Sequence, residues 1–144
     1  MRRGCRPRSV SYAALAVERF RNWPLAVRRA DCGPGRALTL AGIQIVHLHQ
    51  DDLAEVLLTE RVIGRLSPAL TSSGRVDILP DTPWVQVHLD TDGDLFLLQS
   101  LVSLAIQTND PTTPTHRRPN TPCPYLRPTH VPAPPRPFSQ SARL

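Results

Sequence analysis

Two strand-like stretches carry histidine, and they constrain the fold of this chain more than any other feature. The first reads LTLAGIQIVHLH and ends at His49, and the second reads ILPDTPWVQVHL. Side chains alternate between the two faces of a strand. His47 and His49 therefore share one face of the first stretch, and Trp84 and His88 share one face of the second. If the two strands are neighbours in a sheet, three histidines come close together, and this cluster is the best candidate in the sequence for chemistry.

The remaining patterns predict helices on either side of these strands. Apolar spacing, capping residues and turn residues indicate the element types. The first half of the chain is predicted to form a helix from Ser9 or Ser11 to Asn22, a short strand at 25–29, and a hairpin of 38–40 and 43–49 around Ala41-Gly42. Two helices are predicted next, one at 53–58 capped by Asp51 or Asp52 and one at 60–66 capped by Thr59. Strands at 76–79 and 84–89 follow, and then a helix at 95–107 capped by Asp92 or Asp94. The predicted class is α+β, with a small antiparallel sheet and flanking helices.

Charge is distributed unevenly along the chain. All 17 Lys+Arg residues are arginine. Residues 1–17 hold four of them and residues 111–144 hold five, and neither segment contains an acid. The middle holds eight arginines against all 12 acids, a net charge of −4. This distribution argues against a nucleic-acid-binding folded face, where positive charge belongs. The basic ends can still contact nucleic acid or another anionic surface without sequence preference.

Composition sets the predicted domain boundaries. Ten of the 16 prolines lie between Pro111 and Pro137. Such a segment buries too little apolar surface to offset the entropy lost on ordering. We therefore predict a basic flexible N-terminus at 1–8, one α+β domain at 9–109, and a disordered Pro/Arg-rich tail at 110–144.

The cysteines and the apolar runs bear on the compartment. Cys5, Cys32 and Cys123 are odd in number and widely spaced, without a CxxC pair. This pattern favours reduced, unpaired thiols in a cytoplasmic protein over a zinc knuckle. No stretch approaches the roughly 20 apolar residues of a membrane span. There is no GxGxxG, flavin motif or nucleophile elbow, so the sequence indicates no particular cofactor, and it leaves the oligomeric state open.

The arrangement of motifs resembles the luciferase domain family of small bacterial and fungal proteins. The matching features are His47-Leu48-His49 with Asp51, the step Leu79-Pro80-Asp81 followed by Trp84, arginines in the intervening helix, and Trp23-Pro24 near the start. The chain departs from the family pattern at Leu25 and Pro83, where glycine is usual, and at His88, where arginine is frequent. The resemblance covers roughly residues 12–108 and implies a small α+β domain. The order of elements is also similar to MmcQ/YjbR-like domains, at the level of fold.

One class of function consistent with these residues is a binding or regulatory module. The face that carries the histidines would be its recognition surface, with Trp84, His88 and Asp81 as the candidate binding residues. Tryptophan combines an apolar body with a polar N–H, which suits an anchor at an interface.

The alternative class is a small oxidoreductase or metal-dependent enzyme. His47 and His49, two apart on one strand, can bring two imidazoles to one metal ion. Asp51 or His88 would then complete three ligands and leave one position for water. Without a metal, His47 beside Asp51 or Asp81 would be the general base. His47, His49 and Asp51 are the candidate catalytic residues.

Overall fold

The computed structural model describes residues 11–33, 35–49, 52–110 and 123–124. Its elements, in chain order, are α1 (Tyr12–Arg19), β1 (Ala26–Arg29), β2 (Arg36–Leu40), β3 (Ile43–Leu48), β4 (Leu53–Leu57), α2 (Glu60–Ser73), β5 (Val76–Ile78), β6 (Trp84–His88) and α3 (Asp92–Thr108).

The strands form one antiparallel sheet in the order β1-β2-β3-β4-β6-β5. The predicted hairpin is confirmed as β2 and β3, because Leu40 pairs with Ile43 across the turn. Ala41 and Gly42 both have positive φ, 51° and 86°, as a tight two-residue hairpin turn requires. With its three helices, the sheet confirms the predicted α+β class.

The predicted helix at 53–58 is wrong, because this segment is the central strand β4. β4 lies between β3 and β6, and four of its five residues are buried. A short apolar run of this kind fits a buried strand and a short helix equally well by periodicity. The segment is a strand because β3 and β6 pair with its two edges.

Helix α3 is correctly predicted, but its cap is not. The N-cap is Thr91 rather than Asp92 or Asp94. Thr91 Oγ1 accepts a hydrogen bond from the Asp94 backbone N–H at 3.2 Å, and the Asp94 carboxylate accepts from the Thr91 N–H at 2.9 Å. This reciprocal pair is a capping box, with Asp94 in the place that Glu or Gln usually takes.

We expect Asp94→Ala to lower the free energy of unfolding by about 2 kcal/mol. The carboxylate is buried and accepts from the backbone N–H groups of Asp90 and Thr91. It also accepts from the Arg75 guanidinium at 2.9 Å. Asp94→Asn should cost less, because an amide oxygen still accepts. Urea denaturation of the three proteins tests this ranking, and equal stabilities would contradict it.

The two sides of the sheet differ in chemistry. Val46, Val56 and Val85 form a fully buried cross-strand row on one side, and α3 contacts the same three strands. On the other side the cross-strand row is polar, because His47 lies opposite Glu55 and Glu55 lies opposite Gln86. A polar row across the middle of a sheet is costly unless its members are hydrogen-bonded. It therefore marks the candidate site.

Three predictions concern the chain ends and the membrane. The predicted N-terminus at 1–8 lies outside the described residues, as does nearly all of the predicted tail at 110–144. Cys123 and Pro124 are described, and both are buried. Among the helices that the structure describes, none has the length and apolar character needed to cross a bilayer.

Candidate functional site: a buried Cys/His cluster

Four metal-ligating side chains from separate parts of the chain meet on the polar side of the sheet. His47 lies in β3, His49 follows it, and Cys32 follows β1. Cys123 comes from the far C-terminal part of the described chain. All four are buried, with at most 6% of each residue exposed. The predicted pair of histidines is thus part of a four-residue cluster, the Cys/His cluster, that lies inside the domain.

The ligand atoms of this cluster converge on one point. The Cys32 Sγ lies 3.4 Å from His47 Nδ1 and 4.0 Å from His49 Nδ1. All four ligand atoms, the sulfur of Cys123 included, lie within 4.8 Å of one another. Tetrahedral zinc bonded to sulfur at about 2.3 Å and to nitrogen at about 2.0 Å keeps its ligand atoms roughly 3.3–3.8 Å apart. The cluster is therefore close to the dimensions of a tetrahedral metal site and would need only slight contraction.

The opposite ring nitrogen of each histidine is held by an amide or a carboxylate. His47 Nε2 lies 2.8 Å from Gln44 Oε1. His49 Nε2 lies 2.7 Å from Glu55 Oε1. A carboxylate or amide oxygen can only accept, so both Nε2 atoms donate their hydrogens. In each ring this arrangement leaves Nδ1 directed to the centre of the cluster, as in a metal-ligating histidine.

Glu55 connects the cluster to the next strand. Its second oxygen, Oε2, accepts a hydrogen bond from Gln86 Nε2 at 2.7 Å. Burial by itself would raise the pKa of Glu55, but hydrogen bonds from His49, Cys123 and Gln86 outweigh it, so the pKa is lowered. The site thus contains a buried carboxylate that stays ionised and orients His49.

Burial also shifts the proton affinities of the cluster itself. It lowers the pKa of His47 to about 4, with a further contribution from the neighbouring His49. It raises the pKa of the Cys32 thiol. At neutral pH His47 is therefore a neutral imidazole, while the Cys32 sulfur needs a nearby positive charge to ionise.

Trp84 lies beneath the cluster in the core. It is 2% exposed, and its ring centroid lies 4.8 Å from that of His47 at an interplanar angle of 30°. Because the two rings pack face to face at a tilt, Trp84 limits the rotation of His47. With this burial, Trp84 offers almost no surface to a binding partner.

Of the other predicted site residues, Asp81 and His88 lie outside the cluster. Asp51 falls outside the described residues. Asp81 is exposed in the turn before β6 and has a positive φ of 59°. His88 is exposed, and its Nε2 lies 2.7 Å from the Asp77 carboxylate. The three histidines therefore do not form one cluster. The alternation of side chains places His88 on the polar side, but β4 separates it from β3.

The sequence reasoning missed two ligands and two supporting residues. Cys32 and Cys123 are 91 positions apart in number and carry no spacing signal. Because residues 53–58 are predicted as a helix, the sequence does not predict that Glu55 lies opposite His47 in the sheet. One signal was present for Glu55 and Gln86, since a lone acid in a buried run and a lone amide in an apolar strand both need buried partners.

The fold and the site together define a small α+β domain with a buried Cys/His cluster on one side of its sheet. The family model described as Luciferase domain matches residues 42–105. This match confirms the predicted resemblance to the luciferase domain family, over the segment from β3 into α3. No curated protein and no solved structure matches the chain. The similarity to MmcQ/YjbR-like domains stays a prediction.

The matched segment divides the cluster. It contains His47, His49 and Glu55, whereas Cys32 precedes it and Cys123 follows it. The histidine half of the cluster is therefore within the family segment, and the cysteine half depends on the parts of this chain that flank it.

Proposed function

We propose that this luciferase domain is a zinc-binding module in which Cys32, His47, His49 and Cys123 hold one Zn²⁺ ion. The observation that carries the proposal is the convergence of four buried ligand atoms within 4.8 Å. Two sulfurs and two imidazoles are a ligand set typical of tetrahedral zinc. The dipositive ion would lower the pKa of the cysteine thiols, so that they bind as thiolates.

The hydrogen bonds around the cluster support this proposal. Glu55 accepts from His49 at 2.7 Å, and Gln44 accepts from His47 at 2.8 Å. Such outer hydrogen bonds fix the tautomer and ring orientation of a ligating histidine. The Gln44 amide is itself oriented, because its oxygen accepts from the Asp31 N–H and its nitrogen donates to the Arg29 carbonyl.

The number of protein ligands favours a structural role for the ion. Catalytic zinc sites usually have three protein ligands and an open position for water, whereas structural sites are closed by four. Here four protein side chains are at hand, and all are buried. Zinc would join the loop after β1, strand β3 and the segment at Cys123. A binding or regulatory module stabilised by this ion is the function that the geometry supports best.

A reducing compartment suits such a site. Cytoplasmic thiols stay reduced and so remain able to bind a metal. The cytoplasmic location predicted from the sequence therefore agrees with the proposal.

We expect the purified full chain to contain about one zinc ion per molecule, as measured by elemental analysis. Cys32→Ser/Cys123→Ser should lose the metal, because serine is a poor zinc ligand. His88→Ala is the matched control and should keep it, since His88 lies outside the cluster. The absence of metal from the wild-type chain after refolding with zinc would overturn the proposal.

Cobalt substitution separates a closed site from an open one. Co²⁺ bound by two thiolates and two imidazoles should give the intense visible absorption and the sulfur-to-metal charge-transfer bands of a tetrahedral complex. The bands should be unaffected by added azide or cyanate. A five-coordinate spectrum that changes with azide would instead favour the alternative, a metal-dependent enzyme that uses His47 and His49.

A further inference from the structure

Two hollows meet at the start of β2, and His49 of the Cys/His cluster borders one of them. The first has a volume of about 550 Å³ and is bordered by Val27, Arg28, Arg29, Gly35 and Arg36. The second, of about 510 Å³, lies between α1 and the sheet, and Gly35 and Arg36 border it as well. Both hollows are open to solvent. Arg36 therefore borders both hollows, a basic one lined by three arginines and a second one against α1.

The basic hollow contains a pair of like charges. Arg29 and Arg36 lie directly opposite each other on β1 and β2, so their side chains leave the sheet on the same side. Like charges in this position destabilise a strand pair. Both residues are exposed, and neither makes an ion pair within the part of the chain that the structure describes. Two adjacent guanidinium groups thus lack a neutralising partner there.

The second hollow has a mixed lining, with Ser11, Glu18 and His49 among its polar residues. Its apolar part is formed by Ala13, Ala14 and Val17 of α1 together with Leu48 of β3. Leu48 pairs with Arg36 across the sheet, so it lies on the same side as the two arginines. Glu18 also borders this hollow, and its carboxylate lies 3.4 Å from Arg21.

Gly35 allows the chain at the start of β2 to approach the backbone of β3 closely. Its φ is +122°, and a Cβ built on it would lie 2.5 Å from the Leu48 carbonyl oxygen. Only glycine fits such a conformation and such a close approach. The backbone that carries Arg36 is therefore held close to β3 beside both hollows.

We propose that these hollows bind a small anionic amphiphile, with a phosphate or carboxylate head on Arg29 and Arg36 and an apolar body against α1 and Leu48. Guanidinium groups bind phosphate and carboxylate through paired hydrogen bonds. The bound anion removes the repulsion between the two arginines, and the apolar body covers surface that is otherwise in water. The proposal does not rest on a bound zinc ion, although His49 borders both the second hollow and the Cys/His cluster.

Isothermal titration of the full chain with octyl phosphate tests the proposal. We expect saturable binding, and about a tenfold or greater loss of affinity in Arg29→Gln and in Arg36→Gln, since each removes charge-assisted hydrogen bonds. Arg65→Gln, an exposed arginine on α2, removes the same charge and should bind as the wild type does. These substitutions are at exposed positions, so circular dichroism should show an unchanged fold.

Two further probes define the ligand class. Inorganic phosphate should bind more weakly than octyl phosphate, because it cannot use the apolar hollow. Octanol should bind more weakly as well, because it has no charge for the arginines. Equal loss of affinity in Arg65→Gln, or equal affinity for inorganic and octyl phosphate, would overturn the proposal. So would binding to vesicles of anionic lipid without any binding of monomeric octyl phosphate, which would indicate a membrane surface instead.

Discussion

Removal of zinc should lower the free energy of unfolding of this protein by about 3–4 kcal/mol at a free zinc concentration several hundred times the dissociation constant. The cluster draws its ligands from the loop after β1, from β3 and from the segment at Cys123. The unfolded chain has no preformed site, so binding free energy is gained on folding. For a domain of about 100 residues this change shifts the melting temperature by more than about 10 °C.

The measurement is thermal unfolding of the full chain with zinc, with a chelator, and with the chelator followed by excess zinc. The stability should fall and then recover. His88→Ala should behave as the wild type does, and Cys32→Ser/Cys123→Ser should be insensitive to the chelator. A structural role for the ion would be contradicted if the purified wild-type chain contains zinc and the chelator removes it without changing the melting temperature.

The parts of the fold that could be predicted are those that local sequence specifies. The hairpin of β2 and β3 follows from Ala41-Gly42 between two alternating stretches, and β6 follows from its alternation alone. The cap of α1 at Ser11 was also predicted, and the Ser11 side chain accepts from the Ala14 N–H. In each case the decisive interactions lie within a few residues of each other.

The parts that could not be predicted depend on contacts between distant residues. The helix prediction for β4 is wrong because its five residues carry no clear turn or alternation signal. What makes this segment a strand is its pairing with β3 and β6, which local sequence does not show. Helix α2 was predicted to end near Leu66 but continues through Pro68 to Ser73 and ends at Gly74, which is left-handed with φ 72°. A proline is tolerated in the first turn but costs about 3 kcal/mol in a helix interior, and this helix is held to the core by its buried residues Ile63 and Leu70.

The same distinction between local and distant contacts applies to the candidate site. Strand alternation places His47 and His49 on one face without knowledge of the fold. Cys32 and Cys123 lie beside these histidines through contacts between distant parts of the chain. The sequence therefore indicated two ligands and a third from Asp51 or His88, whereas the structure offers two sulfurs in their place. This substitution changes the proposed chemistry, because an open three-ligand site suits catalysis and a closed four-ligand site suits stability.

Glu55 offers the most direct test of how the sheet supports the cluster, and we expect Glu55→Ala to cost about 3–5 kcal/mol of stability. The carboxylate is fully buried. Its loss leaves the His49 Nε2–H and the Gln86 amide without their acceptor in the protein interior. An unsatisfied buried donor carries its full desolvation cost. Urea denaturation measures this loss, and Glu60→Ala, an exposed acid at the start of α2, should remain within about 0.5 kcal/mol of the wild type.

The same substitution should also weaken zinc binding by about 10–100-fold, because His49 loses the group that orients it. A competition titration against a chromophoric chelator measures this affinity independently of stability. Glu55→Gln separates the two effects. Its amide oxygen still accepts from His49, so much of the orientation is kept, while the negative charge that strengthens His49 as a ligand is removed. Its affinity should therefore fall between those of the wild type and Glu55→Ala. If both variants bind zinc as tightly as the wild type while only stability falls, Glu55 serves the packing of the sheet and has no part in the metal site.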